Sequence, residues 1–132
     1  MPNRTYALEW INLAYKNLET ARLLLQENHF TDSIAVEIQQ TIEKSLKCIY
    51  AFEGSKIPRT HNLILLFKGV GRHLTFHDVN MDDLIIISDY YENDRYPGPR
   101  YEEPSRDEVE NYFELSERIY QSIREYITTE EI

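Results

Sequence analysis

Apolar residues recur at three- and four-residue steps along most of this chain, and the clearest case is the stretch Thr31–Gly54. Ile34, Ile38, Ile42, Ser45 and Ile49 fall on one face at about 100° per residue, which predicts an amphipathic helix. Thr31 or Asp32 can cap its amino end, and Gly54 is a natural stop because it tolerates the left-handed backbone. The opposite face gathers Gln40, Glu43, Lys44 and Lys47, with Glu43 and Lys47 in the favourable acid-first order four residues apart. One side builds a core; the other carries an amide, an acid and two amines. Such a strip is ordinarily solvated.

Four further segments read as helical. Thr5–Glu27 carries Leu8, Ile11, Tyr15, Leu18, Arg22 and Leu25 at heptad-like spacing, while Ala14 and Ala21 leave room for close approach. Arg22 interrupts the stripe and is expected to snorkel to the core's edge. Asn28-His29-Phe30 is a short connection, so the first two helices are expected to lie antiparallel. Pro58 breaks the chain before a third helix, for which Thr60 is the expected cap, with His61 in its first turn and Leu63, Ile64, Leu66, Phe67 and Val70 on its apolar side. Asn80 caps a fourth, Met81–Glu92, whose Leu84–Ile87 run is apolar all round and predicts packing on more than one side. Ser105 and Glu108 form a capping box that opens the last helix, with Val109, Tyr112, Phe113, Ser116, Ile119, Tyr120, Ile123 and Ile127 on its buried side. The expectation is all-α: an up-and-down bundle of about five helices, a single domain over residues 1–132.

Charge and cysteine content narrow the chemistry. Twenty-three acids against 14 Lys and Arg give a net charge of −9, so any contact with nucleic acid has to be local and not made by the whole surface. The lone Cys48 rules out an internal disulfide and a multi-cysteine zinc site and fits a reducing cytoplasm. No secretory leader is expected, since Arg4, Glu9 and Lys16 break up the amino-terminal apolar residues, and no apolar run reaches bilayer length. The four histidines have no ligand-pair spacing with a third ligand, and no phosphate-cradling glycine loop or GxSxG motif occurs. No metal or other cofactor is expected.

Between the fourth and fifth helices, Asn93–Tyr101 holds Arg95, Tyr96 and Arg100 among Pro97, Gly98 and Pro99. Arginine there suits phosphate or carboxylate and tyrosine suits a base, although Tyr96 and Pro97 can equally serve to lid the bundle.

Three motifs taken together, Q-Q-T-I-E-K-S-L-K at Gln39–Lys47, T-H-N-L at Thr60–Leu63 and R-Y-P at Arg95–Pro97, resemble the signature of HEPN-domain proteins in order and distance, over nearly the whole chain. The resemblance implies the same helical bundle, a homodimer, and a site where Gln40, Glu43 and Lys47 meet His61, Arg95 and Tyr96. Arg95 and Lys47 would hold phosphate oxygens, Gln40 would read a base or hydroxyl and Tyr96 would stack. Glu43 would orient a neighbouring cation, and His61 is the group's proton carrier. Two functions follow as expectations. One is a nucleotide- or RNA-binding regulatory module, partner of a small nucleotidyltransferase in a toxin–antitoxin-type system. The other is a metal-independent ribonuclease using His61 and Arg95, or Arg72 and His77. In many HEPN ribonucleases an Arg-x(4–6)-His motif stands at the head of the last helix; here Arg72 and His77 match its spacing but come earlier, which weighs against cleavage.

Overall fold

In the computed structural model of the chain the described residues are 3–71, 73–93 and 102–129, with residues 92 and 93 by their backbone alone. They form five helices, α1 (Arg4–Gln26), α2 (Thr31–Phe52), α3 (Leu63–Val70), α4 (Met81–Asn93) and α5 (Arg106–Thr129). The helix with the best-marked apolar face is the hub: α2 packs against each of the other four. Its Ile34, Ile38, Ile42, Leu46 and Ile49 are fully buried.

Contacts between helix ends fix the directions. Asn3 N–H donates to Phe52 O at 2.9 Å, so the start of α1 meets the end of α2 and the two are antiparallel. Arg106 at the head of α5 donates to Leu25 O at 2.6 Å near the end of α1. Tyr126, near the end of α5, donates to Glu53 at 2.6 Å. So α5 runs alongside α2 and against α1. The short α3 follows the direction of α2, its start level with Gln39 and its Leu66 carbonyl accepting from Tyr50 at 2.9 Å. α4 then climbs back, Tyr112 donating to its Asp83 and Tyr90 to Glu108 at the head of α5.

Several local expectations need correction. The N-cap position of α2 is Phe30, with no side-chain cap bond; Thr31 is already helical and the Asp32 carboxylate accepts from the adjacent Ser33 N–H. Gly54 does stop the helix, at φ 72°. The cap of α3 is Asn62, not Thr60: its Oδ1 accepts from Ile64 and Leu65 N–H at 2.9 and 3.3 Å. Thr60 instead turns the chain by accepting from Asn62 N–H at 3.1 Å, which leaves His61 before the helix and not in its first turn. The core face of α1 is rotated from the expected stripe. Ala7, Ile11, Ala14, Leu18 and Ala21 are buried, whereas Leu8 and Tyr15 are 39% and 46% exposed. The alanines let α1 approach α2 closely, so closeness and not side-chain bulk sets its phase. On α4, Leu84 and Ile87 are buried but Ile85 and Ile86 are exposed, so the run packs on one side only.

Two contacts show how the elements lock. Arg22 pairs with Glu19 and with Glu117 on α5, and its guanidinium lies 5.1 Å from the Phe113 ring, clamping α1 to α5. Ser105 caps α5, accepting from Glu108 N–H at 3.1 Å, but the Glu108 carboxylate takes the Tyr90 hydroxyl. That half of the capping box ties α4 to α5.

Candidate functional site

The polar strip of α2 is only partly solvated: Glu43 is 4% and Lys47 7% exposed, with the neighbouring Gln39 at 0%, while Gln40 and Lys44 are half-buried. The four-residue spacing of Gln39, Glu43 and Lys47 stacks them along one row of the helix. Lys47 Nζ donates to Glu43 Oε2 at 3.1 Å and lies 5.8 Å from the Trp10 ring of α1, which covers it. Gln39 Nε2 donates to Glu43 Oε1 at 3.0 Å, and Gln40 Nε2 reaches the same oxygen at 3.4 Å and Gln39 Oε1 at 2.6 Å. Burial alone would push the Glu43 carboxyl up. The hydrogen bonds from Gln39 and His61 and the charge and hydrogen bond of Lys47 outweigh it and hold Glu43 below its ordinary value of 4.5. Glu43 is thus a buried, fixed anion.

What this anion holds is His61, whose Nδ1 lies 2.9 Å from Glu43 Oε1. An ionised carboxylate can only accept, so Nδ1 carries the hydrogen and, in the neutral ring, Nε2 is left as the acceptor. The backbone of His61 is pinned as well. Its carbonyl accepts from Gln39 Nε2 at 3.2 Å, and the Ser88 hydroxyl, 3.5 Å from that carbonyl, accepts from Leu63 N–H at 3.1 Å. The ring stacks on Tyr91 of α4, centroids 3.9 Å apart and planes 19° from parallel, and stays half exposed.

In front of this pair opens a cleft of about 360 Å³, lined by Arg59, Thr60, His61, Asn62, Ser88, Asp89 and Tyr91. The volume lies in the range that admits a nucleotide-sized molecule. The cleft is polar: its lining carries a guanidinium, an imidazole, three hydroxyls, an amide and one carboxylate.

Among the expected site residues, Gln40, Glu43, Lys47 and His61 do come together. Their arrangement is layered, with Glu43 and Lys47 behind His61 and not on the cleft lining. Arg95 and Tyr96 lie outside the described residues, as does Arg72. His77 sits at the other end of α4, among Thr75, Asp78 and Arg118. Lys44 turns the other way, donating to Asn17 of α1 at 2.8 Å. Gln39, Arg59, Ser88 and Tyr91 join the site without being among its expected residues, although Gln39 opens the first of the three motifs. Gln39 has a signal, its four-residue offset from Glu43; the others enter only through the tertiary packing of α4 on α3. Among the described residues no cluster of three His, Cys, Asp or Glu side chains could hold a metal ion. Among them, too, no helix is long and apolar enough to cross a membrane.

An all-α bundle built on a central helix, with a histidine held by that helix's buried carboxylate, is the class these features define. The HEPN domain profile matches residues 7–126, and the chain belongs to the HEPN family. It is 26% identical over 139 residues to the Methanocaldococcus jannaschii protein named "Putative toxin MJ1304", a match spanning 95% of this chain and 90% of that protein. The crystal structure of TT1696 from Thermus thermophilus shares the fold at a TM-score of 0.75, with 22% identity over 91% of this chain and 97% of that one. ST0689, an archaeal HEPN homologue, does so at 0.67, with 21% identity over 92% of this chain and 97% of that one. These two likenesses speak for the fold alone.

Proposed function

We propose that this HEPN chain is the toxin-side module of a paired toxin–antitoxin-type system and that the His61 cleft receives a nucleotide or RNA segment. The observation that carries the reading is the Glu43–His61–Tyr91 arrangement at the wall of a 360 Å³ polar cleft. Arg59 is the cleft's phosphate ligand, a planar fork in an otherwise acidic protein. Tyr91 and His61 supply ring faces for a base, and Asn62 and Ser88 supply polar groups for its edge or its ribose. Glu43 positions His61, while Gln39, Gln40 and Lys47 position Glu43. Arg95 and Tyr96 belong to the same site in this proposal. The name of the Methanocaldococcus jannaschii relative supports the toxin assignment, and a small nucleotidyltransferase is the proposed partner protein. The proposal extends to a single-domain cytoplasmic homodimer.

A metal-independent ribonuclease is the second reading, favoured by one observation: the Glu43 carboxylate takes the Nδ1 hydrogen of the neutral His61 ring, so Nε2 is the nitrogen that faces outward as acceptor, the orientation a general base requires. In that reading Nε2 takes the proton of a 2′-hydroxyl as its oxygen bonds to the adjacent phosphorus, and the P–O5′ bond breaks. The 5′-oxygen leaves with a proton from water, a 2′,3′-cyclic phosphate remains, and Arg95 steadies the phosphate charge. Arg72 and His77 are the other candidate pair.

The test compares wild type with His61→Ala and Arg95→Ala. RNA binding by fluorescence anisotropy and RNA cleavage in chelator are measured side by side. Binding lost in both variants without any cleavage by wild type supports the module; cleavage abolished by both supports the ribonuclease. Wild-type behaviour in both variants would refute the site.

A further inference from the structure

A second cleft lies at the opposite end of α4. It measures about 150 Å³ and is lined by Thr75, His77 and Asp78 of the α3–α4 connection and by Arg118 and Ser122 of α5, with apolar walls from Phe76, Val79 and Ile119. From Val79 to Asp89 is ten residues of mostly helical chain, so at 1.5 Å per residue the two clefts stand about 15 Å apart.

The arginines single this place out. In a chain with nine more acids than bases, a surface guanidinium readily finds a carboxylate. Arg22 binds Glu19 and Glu117, Arg106 binds Glu110, and Arg124 donates to Tyr120. Arg4 also has a partner. Among the described arginines, Arg59 and Arg118 alone enter no hydrogen bond or ion pair, although Glu114 stands one turn before Arg118 on the same helix. Each unengaged guanidinium lines a cleft that also holds a histidine, a threonine and a serine. A guanidinium with nothing of its own to bind, beside such hydroxyls and an imidazole, is the chemistry of an oxyanion site.

Size selects among oxyanions. The cleft is half or less of what a drug-sized ligand occupies, and it equals about five water molecules in volume. The enclosed part fits one phosphate group, and a nucleoside joined to that group would extend beyond the cleft. We infer that the Arg118–His77 cleft binds a single phosphate group, carried either by a small phosphorylated molecule or by a nucleic-acid strand. Arg118 grips two oxygens through its fork, and His77, Thr75 and Ser122 donate to the others. Asp78 is the one carboxylate in the lining and opposes the ligand, which limits affinity and disfavours a cluster of phosphates. The inference does not rest on the function proposed for the His61 cleft.

Titration of the full chain with inorganic phosphate, adenosine monophosphate and a short single-stranded RNA at low salt tests it, read by amide correlation spectra. Expected are saturable shifts at Thr75–Asp78 and Arg118–Ser122, weakened at least about tenfold in Arg118→Ala, the worth of one hydrogen bond to a charged group. Arg118→Lys is expected to retain part of the binding and Asp78→Asn to tighten it. Arg59→Ala and His61→Ala should leave these shifts unchanged, which separates this site from the other. RNA binding more tightly than the two small probes would identify a strand as the source; equal binding would identify a small phosphorylated molecule. All these variants are surface changes, checked by thermal melting. Shifts absent from this segment for all three probes, or unaltered in a folded Arg118→Ala, would overturn the inference.

Discussion

Replacing Glu43 by Gln should destabilise the whole fold, because Glu43 is what makes Lys47 tolerable. The Lys47 side chain is 9% exposed and its ammonium has two partners, the Glu43 carboxylate at 3.1 Å and the Trp10 ring. With an amide in place of the carboxylate, the ammonium loses its counter-charge and keeps at most one neutral oxygen and the ring face. Removing one partner of a buried pair costs about 3–5 kcal/mol, and the flexible lysine stem places the expected value near the lower end, about 3 kcal/mol. With a urea slope of about 2 kcal/mol per molar, the unfolding midpoint should fall by about 1.5 M. The converse change is milder. In Lys47→Met, Glu43 keeps Gln39, Gln40 and His61, so a loss of about 1.5 kcal/mol is expected, that of one hydrogen bond to a charged group. In the double variant the orphaned charge is gone, and the protein should be more stable than Glu43→Gln alone. The assay is urea denaturation followed by circular dichroism for all four proteins. A Glu43→Gln midpoint within about 0.3 M of wild type, or a double variant no more stable than that single one, would refute the reasoning.

Three other predictions follow from the same structure. Because Glu43 is held below 4.5 in the fold, its contribution to stability is complete above that pH and is lost as pH falls through its lower native value; Glu43→Gln should flatten the acid limb of stability against pH. Gly69→Ala would place a methyl 2.0 Å from the Tyr50 hydroxyl oxygen, pushing Tyr50 off the Leu66 carbonyl; a loss of about 1–3 kcal/mol is expected in the same denaturation assay. Cys48 is buried and its thiol is pushed up to about 12 by desolvation, so an aromatic disulfide reagent at neutral pH should label it only at the rate of unfolding.

Much of the fold can be read from the residues because its signals are local. Ser105 and Asn80 mark helix starts through their own side chains, Gly54 ends α2 through its own backbone, and the isoleucines of α2 declare its apolar face. The phase of α1 cannot be read, since a pattern weighted by bulk favours Leu8 and Tyr15 over the alanines that pack closest. The start of α3 is ambiguous because Thr60 and Asn62 are both good caps, and only Asn62 accepts from two successive helical amides in this geometry.

The site divides in the same way. Glu43 and Lys47 are legible as a pair at fixed spacing on one helix. Their burial is not, because it depends on Trp10 arriving from α1 and His61 from beyond α2. Periodicity assigns a polar face to water unless another segment covers it. Tyr91, Ser88 and Arg59 carry no mark in the chain that sets them apart from other surface residues; packing of α4 against α3 makes them a cleft.

The account depends on a buried carboxylate fixing which nitrogen of His61 faces outward. Nitrogen chemical shifts of the histidine ring, recorded above its titration and assigned with His61→Ala, measure that directly. The prediction is hydrogen on Nδ1 and none on Nε2 in wild type, reverting toward the commoner Nε2–H form in Glu43→Ala. An Nε2–H ring in wild type, or the same tautomer mixture in both proteins, would contradict it.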